Sequence, residues 1–142
     1  MSTRSDSTRF DLAFAVLRVL VGVVFLAHGG QKLFVYGFGG VQGAFGQMGV
    51  PAAGVTGPLV ALVEFFGGLA LIAGLLTRLA GLGLAITMLG AIAFVHLAAG
   101  FFAPQGIEFP LTLLAVTVAF AIAGAGRYSL DHAIAVRRAA AR

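Results

Sequence analysis

Five ionisable side chains sit within or beside stretches that otherwise read as lipid. They are His28 and Lys32 in FLAHGGQKL, Glu64 in LVEFFGGLALIAGLLTR, His96 in AIAFVHLAAGFF and Glu108 in IEFPL. Together they can move protons and bind a carbonyl: an imidazole titrates near neutral pH, an ammonium donates hydrogen bonds, and a carboxylate accepts a proton or balances a charge. His28, His96 and Glu64 are the candidate catalytic groups. His28, Lys32, Glu64, His96 and Glu108 form the candidate ligand-binding set. Two histidines and a carboxylate are also the ingredients of a facial metal triad, and His28 with His96 those of a haem clasp, but their spacing fixes neither geometry and no metal ligands are assigned. The structural alternative is that Arg18, Lys32 and Glu64 are charges that hold helices in register, since a charge at bilayer depth costs about 2.5–3.5 kcal/mol or more unless partnered.

The composition explains why these groups stand out. Of 142 residues, 60% are hydrophobic and only 10% charged, and mean hydropathy is +1.05. A water-soluble domain of this length could not hide that much apolar surface, so the chain is read as a membrane protein with the lipid bilayer as its first partner. It has no cysteine, which excludes disulfides, thiol redox chemistry, iron–sulfur clusters and cysteine-ligated metal. The net charge is +4, but the basic residues cluster at the ends of apolar runs rather than in a stripe. They read as topology signals and anionic-lipid contacts, not as a nucleic-acid surface.

Four apolar runs follow one another: about Leu12 to Phe34, Val55 to Leu76, Leu79 to Phe102 and Phe109 to Ala125. Backbone groups in lipid need internal partners, so each run must be helical. The expected fold is an all-α, integral-membrane four-helix bundle over residues 12–126, with tails at 1–11 and 127–142. The glycine-rich GFGGVQGAFGQMGVP places Val41, Ala44, Phe45 and Met48 at helical spacing, which predicts a short interfacial helix in the first outer loop. The tail YSLDHAIAVRRAAAR resembles another, with Ser129 as its N-cap.

Antiparallel spans at 1.5 Å per residue bring the five ionisable groups into one outer-leaflet layer, because spans one and three run outward while span two runs inward. On span two, Glu64 shares a face with Gly67, Gly68, Leu71 and Gly74, small residues that let another backbone come close. Arg18 stands apart near the inner surface, placed either to snorkel or to cap carbonyls near Thr77 and Arg78. No nucleophile–base–acid set, phosphate loop or dinucleotide fingerprint accompanies these residues.

The ordered motifs LRVLVGVVFLAHGGQKL, GVP, LVEFFGGLALIAGLLTR, HLAAGFF and IEFPLTLLAVTVAFAIAGAGRYSLD resemble the DoxX family of small four-helix bacterial membrane proteins, over Leu17 to Asp131. The resemblance implies a multi-pass protein of the bacterial inner (plasma) membrane. In some relatives it implies the membrane subunit of a thiosulfate:quinone oxidoreductase, in others a partner of oxidative-stress or sulfur-metabolising enzymes. The family's charged positions fall on Arg18, His28, Lys32, Glu64, His96, Glu108 and Arg127.

Two function classes follow. In one, the chain is a membrane subunit of a quinone-linked oxidoreductase or redox-stress complex, with quinone as cofactor, a soluble or membrane redox enzyme as partner and an outer-leaflet polar pocket. In the other it is a non-catalytic scaffold or small-molecule carrier whose buried charges are structural. A homo-oligomer is compatible with both.

Apart from Arg18, the arginines all lie before span one, between spans two and three, or after span four: Arg4, Arg9, Arg78, Arg127, Arg137, Arg138 and Arg142. Both termini are therefore expected in the cytoplasm. Among Ser2→Cys, Gly43→Cys and Arg142→Cys, only Gly43→Cys should react with an impermeant thiol reagent on intact cells. Labelling of either terminal variant would overturn this topology.

Overall fold

The computed structural model describes residues 3–142, all-helical with irregular connections. Met1 and Ser2, the start of the expected 1–11 tail, lie outside the described residues. The helices are α1 (Thr3–Gly30), α2 (Gly37–Gln47), α3 (Ala53–Ala73), α4 (Thr77–Ala91), α5 (Glu108–Ala123) and α6 (Leu130–Ala140). A π-helical segment, Gln31–Tyr36, joins α1 to α2, and a second, Ile92–His96, followed by a single 3₁₀ turn, extends α4. Three helical stretches are long and apolar enough to cross a membrane: Ser7–Gln47, Ala53–Ala73 and Thr77–Ala99. The apolar α5 is shorter, 16 residues or about 24 Å.

Helices α1, α3, α4 and α5 surround one core of Val21, Phe25, Leu71, Leu84, Met88, Leu113 and Phe120. Phe14 closes the ring between α1 and α5, meeting Phe120 edge to face at 5.3 Å. Helices α1 and α3 approach most intimately. A methyl group added at Gly22 would stand 2.8 Å from the Gly68 carbonyl, one at Gly68 2.5 Å from the Leu26 nitrogen, and one at Gly29 would collide with the Phe65 backbone. Gly81 gives α4 the same access to α5, at Thr117 and Ala121. In lipid there is no hydrophobic gain from pairing helices, so this backbone proximity, with its dense van der Waals contact, holds the pairs together.

Local rules set the ends. Gly74 adopts a left-handed conformation and closes α3 in a Schellman motif, Leu75 N bonding Ala70 O at 2.9 Å and Gly74 N bonding Leu71 O at 3.2 Å. Leu76 is also left-handed, a conformation that costs a non-glycine residue roughly 1–2 kcal/mol. Its amide and that of Thr77 are held by the Asp131 carboxylate, at 2.8 and 3.0 Å.

Pro58 lies inside α3 and has no N–H for the carbonyl of Gly54 four residues earlier. Gln42 of α2 supplies the missing donor, its Nε2 bonding that carbonyl at 2.9 Å, while Val41 packs against Gly57. The expected outer-loop helix is thus α2, and it lies along the first turns of α3. Pro110 needs no such partner, because it falls in the first turn of α5.

The close α1–α3 contact makes a direct prediction. Gly29→Ala should cost about 1–3 kcal/mol through overpacking. Gly43→Ala, where an added Cβ meets nothing within 4 Å, should be neutral or slightly stabilising. Unfolding in mixed detergent micelles would measure both, and equal effects would overturn the backbone-contact account.

Candidate functional site

The Gly29 contact sets the position of Lys32. It draws α1 onto α3 at Glu64 and Phe65, and three residues later Lys32 Nζ reaches Glu64 Oε2 as an ion pair and hydrogen bond. Glu64 is buried, its side chain 5% exposed, whereas that of Lys32 is 20% exposed. The carboxylate is therefore sheltered inside the bundle and its counter-charge lies at the edge. Lys32 belongs to the first π segment, where the widened turn departs from the regular i→i−4 ladder.

His28 lies one helical turn before Lys32. It is exposed and has no hydrogen-bond or ion-pair partner among the described residues. Val21, two turns earlier on the same flank of α1, is buried, and Val24 between them packs against the core. His28 is thus a surface-facing side chain one turn from the ion pair.

His96 and Glu108 are held elsewhere. His96 closes the second π segment, and its Nδ1 donates to the Gln105 carbonyl at 2.7 Å, which leaves Nε2 as the free ring nitrogen. Glu108 Oε1 accepts the Ala103 amide at 2.7 Å, and its own amide bonds the Phe101 carbonyl at 2.9 Å. Both residues tie down the loop between α4 and α5. Helix register separates them from the ion pair: Gly67 faces Leu84 and Gly81 faces Ala121, so His96 and Glu108 lie about 10 Å or more further along the bundle than Glu64. The five residues thus form two groups: Lys32 and Glu64 with His28 beside them, and His96 with Glu108 in the loop. Among the described residues no three His, Cys, Asp or Glu side chains gather as a metal site.

The opposite end holds a cluster of which the sequence pattern singled out Arg18 and Ser129 but not Asp131. Arg18 is 2% exposed. It does not snorkel or cap the end of α3; its Nη2 donates to the Tyr128 carbonyl at 2.7 Å, and its guanidinium fills the space that a side chain at Gly74 would need. Asp131, just beyond, caps α4 through its carboxylate and bonds the Gly74 carbonyl through its amide at 2.9 Å. Ser129 caps α6, its Oγ accepting the His132 amide at 3.1 Å. The available signal was an acidic residue six positions after the last apolar run, a carboxylate at the same end of the bundle as Arg18.

Comparison with known proteins follows the same architecture. The family model described as DoxX matches residues 13–97, and the one described as TQO small subunit DoxD matches residues 56–141. CatD of Bacillus subtilis, named as a candidate oxidoreductase, is 34% identical over 125 residues, covering 86% of this chain and 87% of its own. The membrane protein Rv3486 of Mycobacterium tuberculosis is 36% identical, over 87% of this chain and 82% of its own. The inner membrane protein YqjF of Escherichia coli is 36% identical, over 86% and 92%. No solved structure matches the chain.

The ion pair can be tested directly. Lys32→Met should destabilise by about 3–5 kcal/mol by leaving Glu64 buried and unpaired, whereas Lys32→Met with Glu64→Leu should recover most of that loss. Additive losses in micellar unfolding would show that the two side chains are not coupled.

Proposed function

The chain belongs to the DoxX family of bacterial inner-membrane proteins, and from that premise we propose that it is the membrane subunit of a quinone-linked oxidoreductase. In this reading four helices cross the bilayer, α5 being the shortest, and both termini face the cytoplasm. The observation that carries it is the Lys32–Glu64 pair, its carboxylate buried, with an unpartnered, exposed His28 one turn away. A structural ion pair alone needs no free imidazole beside it on a membrane helix.

The residues present fit a quinone head group. His28 can donate to a ring carbonyl and hand it a proton, and Lys32, at the edge of the bundle, supplies further N–H donors and positive charge. Glu64 balances that charge from inside. His96 and Glu108 hold the α4–α5 loop at the same end, a positioning role. A quinone held there would take up two electrons and two protons, one proton from His28 and the second from solvent at the membrane surface, and with no cysteine in this chain a partner redox subunit would bring the electrons. The description of DoxD as a TQO small subunit and the naming of CatD support an assembly of this kind.

A scaffold or small-molecule carrier is the second reading. What favours it is that His96 and Glu108, two of the five ionisable residues, bond only to the loop beside them.

Binding of short-chain ubiquinone and menaquinone analogues to the purified protein in nanodiscs separates the two. Wild type should bind. His28→Ala should weaken binding about tenfold, the scale of one charge-assisted hydrogen bond, and His96→Ala should change it much less. If folded wild type binds neither analogue, or His28→Ala binds as well as wild type, the quinone reading fails and the scaffold reading stands.

A further inference from the structure

Two cavities open at the Arg18 end, on either side of the turn between α3 and α4. The larger, about 550 Å³, lies between the start of α4, the end of α5 and the start of α6. The smaller, about 360 Å³, lies between that turn and α6. They share Leu76 and Asp131. Their walls are apolar, chiefly Leu75, Leu76, Leu79 and Ile134, while Arg78 and His132 line the larger and Arg138 the smaller.

The one carboxylate in these walls is already engaged. Asp131 accepts the Leu76 and Thr77 amides, so the charge left for a ligand is positive. The walls are also fixed in place, because Arg18 and Asp131 fasten the start of α6 to the bundle. From the larger cavity, Leu79, Leu82, Ile86 and Leu89 continue along α4 as an exposed apolar ridge at helical spacing. A cationic mouth that leads onto a lipid-facing ridge matches a molecule with an anionic head and a hydrocarbon tail.

We propose that this end of the bundle is a binding site for an anionic phospholipid, its phosphodiester held by Arg78 in the larger cavity, an acyl chain lying along Leu76, Leu79 and Leu82, and Arg138 adding positive charge from the smaller cavity. A free phosphate would share the arginine contacts but would leave the leucine ridge unused. The site is separate from the Lys32–Glu64 end and does not depend on the quinone reading.

Native mass spectrometry of the protein released from nanodiscs of mixed phosphatidylglycerol and phosphatidylcholine reads the retained lipid. Wild type should retain phosphatidylglycerol over phosphatidylcholine by at least about tenfold, the scale expected of two arginines at an anionic surface. Arg78→Gln with Arg138→Gln should bring the ratio close to that of the lipid mixture. Arg78→Lys with Arg138→Lys, which keeps the charge, should preserve most of the preference, and so should Arg142→Gln, which lines neither cavity. Equal retention of the two lipids by wild type, an unchanged ratio in the double glutamine variant, or displacement of phosphatidylglycerol by millimolar inorganic phosphate would each overturn the lipid site. Circular dichroism and melting of the variants separate loss of lipid from loss of fold.

Discussion

Inside a bilayer no water stands ready to satisfy a polar group, so each charge or free carbonyl must find its partner on another part of the chain. Most of the tertiary structure answers to that constraint. Glu64 is partnered by Lys32 across the α1–α3 contact, the buried Arg18 by the Tyr128 carbonyl, and the first amides of α4 by Asp131. The carbonyl orphaned by Pro58 takes Gln42 from α2. Three threonines need no second helix: Thr87, Thr112 and Thr117 bond back to carbonyls four residues earlier.

These bonds are short-range, and they form only because glycine lets the helices touch. Gly22, Gly29 and Gly68 bring α1 and α3 into backbone contact, and the ion pair sits where that contact ends. Gly74 performs two tasks at the other end. Its left-handed backbone ends α3, and its missing side chain leaves room for the Arg18 guanidinium. One substitution there would disturb both the turn and the buried cation.

The two ends of the bundle consequently differ in character. At the Arg18 end, the start of α6 is fastened by a cation and a carboxylate, and Arg78 and Arg138 line the cavities that remain. At the Lys32 end, α1 runs on into a π segment, His28 is exposed, and an ion pair with a buried carboxylate stands one turn away.

Several features were decided locally and could be read from the sequence alone. Helical rise is constant and the spans alternate in direction, so the levelling of Lys32 with Glu64 followed from counting residues. The same count, however, put His96 and Glu108 in that layer, about 10 Å or more short of where the packing register sets them. The small-residue face Gly67–Gly68, the Ser129 cap and a helix over the glycine-rich loop followed from periodicity and side-chain chemistry. Tertiary structure decided what depends on rotation about a helix axis and on the path of a connection. His96 and Glu108 were expected beside Glu64, yet the loop between α4 and α5 folds back to present the Gln105 carbonyl and the Ala103 amide to them. Arg18 found the Tyr128 carbonyl 110 residues away, and Asp131 reached the start of α4 from beyond the last span. Rise along an axis is a property of the backbone itself, but which group a side chain meets is set by neighbours that only the folded chain brings together.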